Sequence, residues 1–319
     1  MDRNLALELV RATEAAALAA ARWMGKGDPS QADAAACEAM HRALQSIKIK
    51  GQVRIGRPAL EGGALLTEGS VVGSDENGGG LDVALDALEC IDSVVTGRPN
   101  AMSVVALNAA GAFMPVGGLY MEKIAVGPDA VGKIDIEASP LENLVNVASA
   151  KRCYVEDLTV SILDRDRHAD LVRQVRAAGA RIQLIPDGDV SSAIATAVGD
   201  SGVDVMMGIG AARAGVLAAV ALACVGGDMQ CRFVPLRAGD EPRIHALTGG
   251  DPRRRLGLRD LVGEGNALFA ATGITAGDVL GGVHFRKGGA STHSVVMRQR
   301  SGTIRFIHAN HFFDRKPKY

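Results

Sequence analysis

Apolar positions recur at helical spacing over residues 3–23, where Leu5, Leu9, Val10, Ala17 and Ala20 fall on one face. A second run of that period opens at Ser30 and extends to about Ile47, so the chain begins with two helices. Between Gln52 and Val126 the pattern shortens to alternating or fully apolar runs separated by glycine-rich turns, which predicts a mixed sheet beneath those helices. From Leu158 onward, strands at 158–163, 181–185 and 203–207 alternate with helices at 166–178, 190–198 and 211–224. That alternation predicts a parallel, doubly wound unit. The tail from Ser291 to His308 reads as two strands joined at Ser301-Gly302. The change of pattern sets an expected boundary near 154, dividing a 1–154 N-terminal α+β domain from a 155–319 C-terminal doubly wound α/β domain.

Composition narrows the classes. The 319 residues are enough for roughly two domains of about 150 each. Lys and Arg number 35 against 36 Asp and Glu, so no basic field gathers nucleic acid or an anionic membrane. Five widely spaced cysteines form neither a C-x-x-C nor a paired zinc pattern and read as reduced thiols. The charged N-terminus lacks a signal-peptide core, and the longest apolar run, Ala214 to Val225, is shorter than the roughly 20 residues of a membrane span. A cytoplasmic protein is expected.

Candidate chemistry lies where the second-half strands end, because ligands of open parallel sheets bind beyond their carboxyl ends. Asp164, Arg165, Asp166, Arg167 and His168 follow the first strand, Asp187-Gly-Asp189 the second, and Gly208-Ile-Gly210 the third. Arginines beside helix N-termini suit a phosphate, and the paired aspartates suit sugar hydroxyls; solvated helix caps account for the same residues equally well. Gly208-Ile-Gly210 is not a dinucleotide fingerprint, since its third glycine position is Arg213. In the first half, Asp82 and Asp86 share a strand face with Glu89 just beyond, and together with Asp33 they are candidate ligands for a hard cation. Asp33 also fits a capping box begun by Ser30. His293, His308 and His311 show no ligand spacing and read as surface or packed residues, and Tyr120 as a core or edge residue.

Several stretches taken in order carry a resemblance: Arg11-Ala-Thr-Glu-Ala-Ala-Ala-Leu18, Gly25-Lys-Gly-Asp28 with Ala32-Asp33, Tyr120-Met-Glu-Lys123, Ile185-Pro-Asp-Gly-Asp189, Val203-Asp-Val205, Ala271-Thr-Gly-Ile-Thr-Ala-Gly-Asp278 and Asp314-Arg-Lys316. Over essentially its whole length the chain resembles the class II fructose-1,6-bisphosphatases of bacteria. The resemblance implies the layered α/β/α/β/α sugar-phosphatase fold shared with inositol monophosphatases. It also implies removal of the 1-phosphate of fructose 1,6-bisphosphate with divalent metals, the sugar phosphate lying in an interdomain cleft. Tyr120, Arg165, Arg167, Asp187 and Asp189 stand where that family contacts substrate.

The metal side departs from the family. Its Gly-Glu-Gly-Glu stretch corresponds to Gly56-Arg57-Pro58-Ala59, and its Asp-Pro-Ile-Glu-Gly-Thr to Asp86-Ala87-Leu88-Glu89-Cys90-Ile91. Ala214 replaces a further glutamate, and Pro29 a lysine. Three readings follow. Asp33, Asp86 and Glu89 hold a single Mg²⁺ or Mn²⁺ and support phosphate hydrolysis. Or the chain binds a phosphosugar without hydrolysing it and without metal, with Arg57 and Arg213 neutralising the phosphates. Or it is a regulatory subunit of an intact family member. A homo-oligomer is expected in the first two.

Overall fold

The computed structural model describes residues 4–57, 65–75 and 79–315. Helix α1 (Leu5–Ala21) buries Leu9, Val10, Ala17 and Ala20, the face its apolar period marks. Helix α2 (Pro29–Gln45) starts one residue before the expected Ser30: Asp28 is its N-cap, accepting the Gln31 N–H at 3.0 Å, and Pro29 occupies the first turn. The Ser30–Asp33 capping box is therefore not formed, and the Asp33 carboxylate points to another partner.

Then follow β1 (Lys50–Ile55), β2 (Val71–Val72), β3 (Gly80–Glu89), α3 (Ile91–Thr96) and β4 (Met102–Ala109). The next stretch holds β5 (Tyr120–Val126), α4 (Pro140–Lys151), β6 (Thr159–Leu163), α5 (Ala169–Ala177), β7 (Arg181–Ile185), α6 (Asp189–Ala195), β8 (Val205–Ala211) and α7 (Ala212–Val225). It closes with β9 (Asp228–Val234), α8 (Asp240–Leu247), β10 (Leu256–Gly257) and α9 (Leu258–Val262). Last come β11 (Leu268–Gly273), β12 (His284–Arg286), β13 (Gly289–Arg298) and β14 (Thr303–Phe312).

The chain divides into two units, and the division differs from the boundary expected near 154. Unit 1 comprises residues 1–113 and 265–319, and unit 2 is the continuous segment 114–264. Residue 154 lies inside unit 2, just after α4. The cause is the pairing of the tail: β11 runs antiparallel to β4, from Leu268 opposite Leu107 to Gly273 opposite Met102, and so returns to the first sheet. That sheet has the order β12-β13-β11-β4-β3-β1-β2, with β14 added on β13 by the hairpin turn at Gly302. Its core joins the apolar faces of α1 and α2 to Val53, Val83, Leu85, Val105, Leu107 and Val296.

Unit 2 has the order β10-β9-β5-β8-β6-β7. β6 is parallel to β7 on one side and to β8 on the other, so the doubly wound pattern holds for these three strands and its switch point is β6. β5 and β9 extend the sheet antiparallel, which the alternation did not reveal. A separate core of Ile124, Val126, Leu144, Val147, Val160, Ile162, Val175 and Val205 lies in this unit.

Candidate functional site

In unit 2 the strand ends gather charged groups at one rim of the sheet. Tyr120 opens β5 and pairs with Ala211 at the end of β8 and with Val234 at the end of β9, so it shares that rim with the residues following β6, β7, β8 and β9. Two guanidinium groups flank its ring, Arg167 at 5.9 Å and Arg237 at 5.2 Å from the centroid. Arg237 Nη2 also donates to the Tyr120 hydroxyl at 3.2 Å. Arg167 is anchored through Nε and Nη2, which donate to the Ile209 carbonyl at 3.1 and 2.7 Å. Arg165 turns back on the chain, its Nη1 donating to the Asp164 carbonyl at 2.8 Å. Asp187 accepts the Gly188 N–H at 2.9 Å. Arg213 lies in the first turn of α7, partly exposed.

His168 ties this rim together. Its Nδ1 donates to the Leu163 carbonyl at 2.7 Å, and its Nε2 accepts the Ile209 N–H at 2.7 Å. Those partners require the neutral ring protonated at Nδ1. Burial holds its pKa below the usual histidine value, and the neighbouring Arg167 charge adds to that. Both polar ends of the Ile209 residue are thus held by consecutive side chains, Arg167 and His168. Gly208, with φ +136°, leaves room for the ring: a Cβ there would sit 3.1 Å from it.

Asp189 is also buried, and its partner is the ammonium of Lys123 on β5, which is itself fully enclosed and also donates to the Ala211 carbonyl at 3.2 Å. Gly210 makes this possible, since a Cβ there would land on the Asp189 carboxylate. The glycines of Gly208-Ile-Gly210 therefore serve His168 and the Lys123–Asp189 pair. His168 is named from sequence only as one of the polar residues after a strand, and Lys123 and Arg237 are not read there as site residues. Lys123 had a signal, a charge on the same strand face as the apolar Met121 and Ala125; Arg237 had none.

In unit 1 the four candidate carboxylates take different partners. Asp82, almost fully buried, accepts from Arg54 Nε at 3.0 Å and from the Phe113 N–H at 3.1 Å, which gives it a structural post. Asp86 and Glu89 flank an irregularity in the β3–β4 register, and Asp86 accepts the Leu88 N–H at 3.3 Å. Glu89 is buried at the strand end, where the Cys90 thiol donates to its Oε2 at 2.8 Å. Cys90 has φ +66°, the left-handed conformation that favours glycine. Asp33 forms an ion pair with Arg57. One helical turn on, Cys37 has its Sγ 3.7 Å from Asp33 Oδ1, and burial followed by the Asp33 charge pushes its thiol up to about 12. Arg57 and Asp86 act on the same thiol, which brings Asp33, Cys37, Arg57 and Asp86 into one electrostatic neighbourhood.

This donor set does not fit a divalent metal centre. Asp33 already carries a guanidinium, and among the described residues no three His, Cys, Asp or Glu side chains converge as a ligand group. Pro58, Ala59 and Lys316 lie outside the described residues. Of the other histidines, His293 stacks on His308 at 4.0 Å across β13 and β14, and His311 Nε2 lies 2.9 Å from the Thr292 hydroxyl, as packed residues.

Two mixed α/β units, one carrying an arginine-rich rim at the switch point of its sheet, define a protein of the sugar-phosphatase fold class. The chain belongs to the family of bacterial, glpX-encoded fructose-1,6-bisphosphatases, whose family model matches residues 3–311. It is 38% identical over 337 residues to the D-fructose 1,6-bisphosphatase class 2/sedoheptulose 1,7-bisphosphatase of Synechococcus sp. strain JA-2-3B'a(2-13), covering 98% of this chain and 97% of the relative. The protein of the same description from Synechococcus sp. strain JA-3-3Ab gives the same figures. That of Microcystis aeruginosa is 36% identical over 342 residues, covering 100% and 99% of the two chains.

Proposed function

We propose that the chain binds a sugar bisphosphate at the arginine-rich rim of unit 2 and releases phosphate from it, the substrate class being the one its relatives are named for. The observation that carries this is the convergence on one sheet rim of Tyr120, Arg165, Arg167 and Arg237 with the Asp187-Gly-Asp189 turn and Arg213. Planar guanidinium forks match phosphate oxygens, and the Tyr120 ring holds two of them in register. Asp187 would accept from sugar hydroxyls, while Asp189, charged against Lys123, would shape the turn that presents it. Arg57 belongs to unit 1 and is given no contact with the sugar.

The Asp33–Arg57 pair favours a second reading, in which the phosphosugar is bound and left intact. Both readings predict binding, and phosphate release separates them. Calorimetry should detect fructose 1,6-bisphosphate or sedoheptulose 1,7-bisphosphate, and Arg167→Ala should weaken either by at least about tenfold, the loss of one charge-assisted phosphate contact. A phosphate-release assay with Mg²⁺ or Mn²⁺ then reports hydrolysis. Absence of binding by either sugar, with and without metal, refutes both readings. Five cysteines without a disulfide support a cytoplasmic location, and Ile304, Phe306 and Phe312, exposed along β14, support assembly as a homo-oligomer.

A further inference from the structure

We propose that Arg57 is a built-in counter-cation for Asp33, so that this part of unit 1 carries its positive charge on the chain and takes no divalent ion through the Asp33 carboxylate. Three observations lead there. First, both carboxylate oxygens are engaged, Oδ2 by Arg57 Nη2 and Oδ1 by the Cys37 thiol. Second, the arginine is placed by backbone as well as by charge. Its N–H donates to the Leu66 carbonyl at 3.1 Å, it forms a bridge with Thr67, and Gly56 before it sits so close to Leu66 that a Cβ would strike that carbonyl. Third, the side chains of the pair are only 21% and 22% exposed, where solvent screens less than at an open surface.

A guanidinium stays protonated throughout the physiological range, so it neutralises Asp33 permanently. A divalent ion seeking Asp33 would have to displace the guanidinium and then remain within a few ångströms of its charge. Charge neutralisation near Asp33 is therefore fixed, where an exchangeable ion would make it depend on metal supply. The inference needs no sugar, and its test contains none, so its failure is distinguishable from failure of the phosphosugar reading.

The test is calorimetric titration of the full chain with MnCl₂, paralleled by the loss of the free Mn²⁺ electron paramagnetic resonance signal. Asp33→Asn should leave the Mn²⁺ affinity of the otherwise unaltered chain unchanged within twofold. Arg57→Ala and Arg57→Gln, each checked by circular dichroism for native fold, should raise Mn²⁺ affinity by at least about tenfold, the scale on which a neighbouring group tunes a metal site. Adding Asp33→Asn to Arg57→Ala should abolish the gain. A tenfold or larger loss of Mn²⁺ affinity in Asp33→Asn alone overturns the proposal. So does a native fold without gained affinity in both Arg57 variants.

Discussion

Lys123 heads the largest fully enclosed side chains among the described residues, and it is a cation. Removing an ammonium from water is tolerable only with a close counter-charge and further acceptors, which Asp189 and the Ala211 carbonyl supply. Lys123→Met keeps the approximate volume but strands the Asp189 carboxylate, and breaking such a pair costs about 3–5 kcal/mol. Chemical denaturation should show that loss, and Asp189→Asn added to Lys123→Met should recover part of it. A Lys123→Met protein within about 1 kcal/mol of the parent would show that the pair does not hold β5 to α6, since that is the size of an exposed pair. This pair also marks a limit of reading residues from sequence. Asp189 reads as a sugar acceptor because it follows a strand, and nothing local tells that a lysine on β5, distant in sequence, meets it. Asp33 is a parallel case: Ser30 three residues earlier suggests a cap, yet Asp28 caps the helix and Arg57 claims the carboxylate.

Elements were more legible than their partners. The periodicity places α1, α2, β6, α5, β7, α6, β8 and α7 within a few residues, because each buries one face whose spacing is written locally. Strand neighbours are not written locally, so the antiparallel β5 beside β8, β9 beside β5, and β11 beside β4 emerge only in the fold. At this scale His168 is a latch: it joins the last residue of β6 to Ile209 on β8, and only the neutral ring can both donate to Leu163 and accept from Ile209. Burial lowers its folded pKa below the ordinary 6.5, and burial lowers that of His293 as well, with the His308 charge adding to it. For a group neutral when folded, the unfolded chain binds the proton more readily, so stability rises with pH through this window. The latch is fully present above about pH 6.5 and is lost as pH falls through the lower folded value. Thermal unfolding temperature should therefore be flat above neutrality and fall as pH drops from about 6.5 towards 5, and His168→Gln should flatten that fall. An unchanged slope in His168→Gln would remove His168 as its source.

For the whole molecule, the topology makes one unit an insertion in the other. Unit 2 is a single uninterrupted segment, 114–264, with its own sheet and its own apolar core, whereas unit 1 needs two segments. In unit 1, β11 contributes the strand that lies between β4 and β13, and β13 and β14 complete that side of the sheet. A chain cut before residue 265 would leave β4 with an open edge and uncover the α1 face that packs on β11 and β13, where the Thr13 hydroxyl meets that of Thr272 at 2.7 Å and Thr272 meets Ser294 at 2.8 Å. Conformational entropy is offset only when enough apolar surface is buried by the segments present. Residues 114–264 expressed alone should therefore unfold in a cooperative transition and show dispersed amide resonances, whereas residues 1–113 alone should show neither. Residues 1–113 should gain structure when 265–319 is supplied in trans or through a short flexible linker. A disordered 114–264 fragment would mean that unit 2 draws its stability from the rest of the chain, and a folded 1–113 fragment would mean that the tail strands decorate a sheet already complete.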